Sequence, residues 1–261
     1  MTETLVKIDV EAGIADVRLA RPEKINAVSP AMFEAIGAAI DSLAPRRDVR
    51  CVVLSGEGRG FSVGIDLEAL GEGFSVGDIK VRTHGEANLF QHVAWGWRTL
   101  PVPVIAAVHG FAFGAGFQIM LGADIRIAAP DAQLSVMEAR WGLVPDMSGI
   151  ATLRGLVRDD VARELVFTAR KFSGEEGARL GVVTRVAEDP HAEAMAMAKT
   201  IAGMSPDAIR AAKRLLNLSA DSDTKTLLTA EAVEQEKMLV SASHRETLLA
   251  AREKRAPVFK D

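Results

Sequence analysis

The sequence predicts an α/β protein: a layered or spiral core followed by a helical C-terminal region. Three observations carry this. The first 140 residues repeat a strand, a loop and a helix without a strict sequence period. From Val161 onward the pattern turns to alanine-rich helical segments. No Gly/Ser linker or low-complexity tract separates the two halves, so the C-terminal helices are expected to pack on the same core or on a neighbouring subunit.

Taken in order, residues 5–10 and 14–19 alternate apolar and polar around Glu11-Ala12-Gly13, the pattern of a β-hairpin. Ser29-Pro30 supplies an N-cap and a first-turn proline. Behind it Met32, Phe33, Ile36, Ala39, Ile40 and Leu43 recur with helical period. Val52-Val53-Leu54 is a short buried strand leading into the glycine-rich run 55–64, after which Asp66 can cap a turn of helix. Residues 102–108 form a second such strand, entering a second glycine-rich loop at 109–116 and then a helix through Leu121. Short strands follow at 125–128 and 134–136. Helices are expected at 193–204, 206–218 and 224–240, each bounded by Ser, Gly, Asp or Pro.

Composition narrows the chemistry. The chain has 261 residues, 48% hydrophobic and 25% charged, enough to bury a sizeable core. Lys and Arg number 31 against 35 Asp and Glu, a net charge of −4, so the basic excess that attracts nucleic acid is absent. There is 1 cysteine, Cys51, and no tyrosine, which excludes a disulfide within the chain. His84, His92, His109, His191 and His244 show no metal-ligand spacing, so no metal site is expected. The N-terminus lacks the features of a signal or transit peptide, and a cytoplasmic location is expected. No apolar run reaches the roughly 18 residues of a membrane span, so no membrane partner is expected. Carboxylates, amides, hydroxyls and backbone groups remain for chemistry.

Several site motifs compete for the glycine-rich stretches. Gly56-x-Gly58-x-Gly60 has Phe61 where a dinucleotide-binding loop has its third glycine, and no P-loop occurs. Gly60-Phe61-Ser62-Val63-Gly64 matches the nucleophile elbow of serine hydrolases, with His244 late enough to complete the order Ser, acid, His. Against a hydrolase at Ser62, Gly56, Glu57, Gly58, Arg59 and Gly60 stand between the strand 52–54 and the serine that an elbow would place at the strand's sharp end. The two loops make better sense as a pair. Each follows a buried strand and has small residues that let a ligand approach backbone N–H groups, and the second opens a helix N-terminus. Two such amides form an oxyanion hole, in which each donor stabilises charge developing on a carbonyl oxygen by about 3 kcal/mol. That suits enolate chemistry.

These residues resemble the crotonase superfamily, the enoyl-CoA hydratases and isomerases. Arg21-Pro22-Glu23-Lys24-Ile25-Asn26-Ala27 is similar to the family's first CoA-contact loop, and Gly58-Arg59-Gly60-Phe61-Ser62-Val63-Gly64-Ile65-Asp66-Leu67 to its G-x-x-F-C/S-A-G-A-D-I/L segment. His109-Gly110-Phe111-Ala112-Phe113-Gly114-Ala115-Gly116 resembles N-G-x-A-x-G-G-G. Ala132, Leu134, Glu138, Gly142 and Pro145 follow the next motif, and residues 253–259 the usual tail. The resemblance spans the chain in order. It implies a spiral of repeated ββα units over residues 1–200 and a helical trimerisation region over 201–261. It further implies a homotrimer or dimer of trimers and an acyl-CoA thioester substrate, with no cofactor because coenzyme A belongs to the substrate.

The resemblance also implies roles. Ile65 and Ala115 would offer the oxyanion-hole amides, and Lys24, Ala27, Val63, Asp66, Leu67, Phe111, Gln118 and Met137 would contact substrate. Hydratases carry one of two catalytic glutamates where this chain has Gln118, and an amide is no general base. The second glutamate is matched by Glu138, and Asp146 stands eight residues later, a spacing like that of dienoyl-CoA isomerases. Glu138 and Asp146 are therefore the expected acid/base pair, with double-bond isomerisation favoured over hydration. Hydration through Glu138 alone and acyl-CoA binding without catalysis stay open. The dehalogenase branch uses the same aspartate position but wants a histidine where Gln91 stands, next to His92. His92, Trp95 and Trp97 are expected in the acyl-pocket wall or the core, and residues 74–89 in the pocket wall.

Overall fold

The computed structural model describes residues 4–68 and 78–260. Strands β1 (Val6–Glu11) and β2 (Ile14–Leu19) form the expected hairpin, closed by Ala12 and Gly13, both at positive φ, between the paired Glu11 and Ile14. Such a two-residue turn matches the twist of the strands it joins. Strands β3 (Cys51–Gly56), β4 (Val104–Val108), β5 (Phe111–Phe113), β6 (Ile125–Ala128), β7 (Gln133–Ser135), β8 (Phe172–Ser173) and β9 (Arg185–Val186) follow. The large sheet runs β1-β2-β3-β4-β6-β9, parallel from β2 onward, and β5-β7-β8 form a second, smaller sheet.

The chain thus leaves β4 for β5 and β6 for β7, stepping from the large sheet to the small one. A Ser62–Ala112 bridge repeats the step one turn earlier. This is the expected spiral of ββα units. Strand β7 begins one residue before the predicted 134, because its register pairs Gln133 with Phe111.

The helices are α1 (Pro30–Leu43), α2 (Leu89–Thr99), α3 (Ala115–Gly122), α4 (Gly149–Leu153), α5 (Asp159–Thr168), α6 (Gly174–Leu180), α7 (Pro190–Ala202), α8 (Pro206–Leu218), α9 (Thr224–Leu239) and α10 (Ala242–Glu253). Ser29 caps α1 as predicted, its hydroxyl accepting from Met32 N–H. Alternation assigns each face of the parallel sheet. Val52, Leu54, Val104, Ala106 and Val108 pack with Met32, Phe33 and Ile36 of α1 and Trp97 of α2. Cys51, Val53, Ile105, Ala107 and Ile127 face Ala194, Ala198 and Ala202 of α7, small residues one turn apart that let the helix lie close to the strands.

The division expected between residues 200 and 201 falls inside α7. Helix α8 is fastened to the core by Lys213, whose buried ammonium donates to Asp124 Oδ2 at 2.7 Å, Val102 O at 2.7 Å and Trp97 O at 3.2 Å. Helix α9 buries none of its residues. Among the described residues, no helix is long and apolar enough to cross a membrane.

Candidate active site

Buried amides and ion pairs lock the first glycine-rich loop in place. The side chain of Asn26 accepts from Arg21 N–H at 2.9 Å and donates to Glu57 O and Gly60 O, both at 2.9 Å, so the 21–27 loop is stitched to the loop after β3. Asp66 accepts from Arg21 at 2.6 Å and from Glu68 N–H at 3.2 Å, which makes it the predicted cap and commits its carboxylate to holding the loop. Ser62 is fully buried, its hydroxyl donating to Asn26 O at 2.8 Å and accepting from Gly64 N–H at 3.2 Å. It shapes the loop. The structure overturns the hydrolase alternative, because Ser62 lies in a bridge to Ala112 rather than at an exposed elbow.

Gly64 brings the two loops together at φ +94; a Cβ there would lie 2.7 Å from Phe113 O and 3.6 Å from Ala115 N. Val28 N–H donates to Gly64 O and Asp66 N–H to Val28 O, a pairing that passes over the amide of Ile65. Ala115 is the first residue of α3, whose amide no turn of helix can satisfy. Among the described residues, neither N–H has an acceptor. Both residues line one cavity of about 450 Å³ with Val63, Leu67, Phe113, Met137, Glu138, Trp141 and Leu143.

Glu138 is the acidic residue in that wall, and it is buried. It opens the 3-10 turn Glu138–Trp141 after β7, with Oε1 at 3.5 Å from where a Cβ on Gly114 would be. Oε1 accepts from Gln118 Nε2 at 2.6 Å, while Oε2 is buried without a partner among the described residues. Burial pushes its pKa above the ordinary glutamate value; its own backbone N–H and the Gln118 amide pull the other way, and the charge of Asp146 adds to the rise. Gln118, 1% exposed, accepts through Oε1 from Met147 N–H at 2.9 Å and Gly149 N–H at 3.0 Å. Asp146 is exposed as a residue, yet shielding of its carboxyl still raises its pKa.

The other expected contacts divide. Val63, Leu67 and Met137 line the cavity. Lys24 is exposed, paired with Glu68 at 2.8 Å, and Ala27 is buried beneath its loop. Phe111 packs on Phe113, 5.6 Å between ring centroids. Trp141 and Leu143 escaped the sequence reading because an apolar residue in a loop gives no sign of whether it faces a core or a cavity. Residues 74–77 of the expected pocket wall lie outside the described residues. Trp97 is in the core as expected, whereas His92 accompanies Asp41 and Trp95 lines a different groove, against α8. Gln91 closes a capping box with Asn88 at the start of α2.

The argument from histidine spacing needs correction. Asp41, His84 and His92, from three separate segments, place ligand-type atoms within 4.8 Å of one another. The two imidazoles are stacked, with centroids 4.2 Å apart and planes 18° from parallel. An ion in the plane of one ring would therefore sit well out of the plane of the other, so the arrangement reads as a ring stack with a His92–Asp41 hydrogen bond of 3.0 Å. The Cys51 thiol, pushed up to about 12 by burial, contributes no nucleophile.

A spiral ββα core, paired amides and a buried carboxylate in one cavity define a crotonase-fold acyl-CoA enzyme. The chain belongs to the enoyl-CoA hydratase/isomerase family, whose model matches residues 9–261. It is 33% identical over 254 residues to the carnitinyl-CoA dehydratase of Salmonella typhi, covering 95% of each chain. It is 29% identical over 257 residues to the mitochondrial methylglutaconyl-CoA hydratase of Mus musculus, covering 95% of this chain and 80% of that one. The enoyl-CoA hydratase structure from Bacillus anthracis superposes with a TM-score of 0.90 at 28% identity, over 98% of this chain and 99% of the other.

Proposed function

We propose that this protein moves the double bond of an enoyl- or dienoyl-CoA thioester, with Ile65 and Ala115 N–H holding the thioester oxygen and Glu138 carrying the proton. The observation behind this reading is that Glu138, whose Oε2 has no partner among the described residues, lines the same cavity as two amides that have no acceptor among them. Glu138 takes a proton from the carbon beside the thioester carbonyl. The electron pair moves onto the oxygen, giving a dienolate whose charge the two amides stabilise. For a 3-enoyl chain the protonated Glu138 returns the proton two carbons further along, leaving the 2-enoyl thioester. For a 3,5-diene, Glu138 and Asp146 divide removal and return, and their environments set the two protonation states. The shift needs no cofactor beyond the coenzyme A of the substrate. A cytoplasmic setting belongs to the same reading.

Hydration is the second reading, supported by the hydratases among the relatives. It would require Glu138 both to activate water and to protonate carbon, because Gln118 supplies no base. Ultraviolet absorbance of purified protein with 3-enoyl-, 3,5-dienoyl- and 2-enoyl-CoA separates the two. The expected result is isomerisation of the first two substrates, with Glu138→Gln lowering kcat by about 10³-fold. Water addition to 2-enoyl-CoA alone would assign a hydratase. Unchanged turnover in Glu138→Gln would remove Glu138 from the chemistry, and thioester binding without turnover of any substrate would make the protein an acyl-CoA-binding relative of the enzymes.

A further inference from the structure

We infer that Gln118 is the positioning residue of this site: one amide bridge that fixes the Glu138 carboxylate in the cavity wall and anchors the loop bearing Asp146. The inference rests on the reading of Glu138 as the proton carrier and adds what sets its geometry. Gln118 Oε1 accepts from two backbone N–H groups, Met147 and Gly149, and both are donors only. Its orientation is thereby fixed, and the NH2 end must face Glu138 Oε1, 2.6 Å away. With Oε1 engaged, the carboxylate is held in one orientation, its Oε2 without a hydrogen-bond partner among the described residues.

The same amide reaches the second acid, since Met147 follows Asp146 directly. Ser148, between the two donors, sits in the left-handed region at φ +67, a conformation that persists only where neighbours impose it. Gly149 makes room for the bridge: a Cβ there would lie 2.6 Å from Gln118 Oε1 and 3.0 Å from Pro145 Cβ. Donation from Gln118 also favours the ionised form of Glu138 against the burial that raises its pKa. The position where hydratases keep a second carboxylate thus holds a group that orients one carboxylate and keeps it available as base.

Two variants separate positioning from mere support. Gln118→Leu removes both the loop anchor and the donor. Gln118→Glu keeps an acceptor for the Met147 and Gly149 amides but sets a second carboxylate against Glu138, so that one proton is shared between them. Glu138 is followed directly by carbon NMR of glutamate labelled at the side-chain carboxyl, its signal assigned by its absence in Glu138→Gln. In both variants the Glu138 titration is expected at higher pH than in wild type, and the acid limb of kcat/KM should move up with it. In Gln118→Leu, kcat should fall about 10²-fold while KM changes less. Melting of Gln118→Glu should stay near wild type, so its titration can be read on a folded protein. An unmoved Glu138 titration in both variants overturns the inference whatever the activity. A titration moved in the variants, with the wild-type protein inert towards every thioester, upholds the bridge and overturns the assigned reaction.

Discussion

Glu138 shows how one residue serves chemistry at the expense of the fold. Burial raises its pKa, so the folded state binds the proton more tightly than the unfolded state does. The stability that follows is fully present below the ordinary glutamate range and is lost as pH rises through the folded value. At neutral pH the ionised, half-satisfied carboxylate is therefore a liability, and Glu138→Gln is expected to melt at higher temperature than wild type while losing activity. Calorimetry across pH should show that advantage shrinking towards about pH 4, where both states are protonated. Glu138 was legible in the sequence because motif residues flank it on both sides. The use of Gln118 was not legible, since its partners are backbone amides 29 and 31 residues away, and a backbone donor leaves no mark on residue identity. Asp41, His84 and His92 were missed for a related reason: their spacing carries no helical or ligand period.

At the scale of elements, the two loops that carry Ile65 and Ala115 depend on how closely their backbones approach. Gly64 combines φ +94 with a Cβ position 2.7 Å from Phe113 O, so Gly64→Ala must both strain its own backbone and push the loops apart. A loss of about 2 kcal/mol in stability is expected. If one amide leaves the hole, kcat should drop by roughly 10²-fold or more. Denaturant melts and steady-state kinetics on the same variant check both, and normal activity would count against the oxyanion hole. Glycine-rich loops of this kind are readable in advance because glycine marks the backbone directly. So are caps: Ser29-Pro30 and Pro206 set helix starts that the sequence placed correctly. Helices α2, α4, α5, α6 and α10 were given no bounds in advance. In α2, apolar and polar residues mix because Val93, Ala94 and Trp97 are core while the Gln91 and His92 side chains make polar contacts. Strands β8 and β9 are two residues each, too short for any alternation to register.

Over the whole molecule, part of the exposed apolar surface lies on the C-terminal helices. Leu216, Leu228, Val233, Leu239 and Leu248 of helices α8 to α10 are exposed, a quantity of apolar surface that marks association. We expect a trimer or a dimer of trimers in solution. Light scattering on the eluting peak should give three or six times the monomer mass, and a monomer at micromolar concentration would refute this. The large sheet carries a different consequence. Its spatial order β1-β2-β3-β4-β6-β9 never runs backwards along the chain. Each strand of this sheet after β1 finds a partner already made, and β1 itself waits only for the next strand in the chain. Synthesis at about 5–20 residues per second can thus lay the sheet down in sequence, protecting each edge soon after it forms.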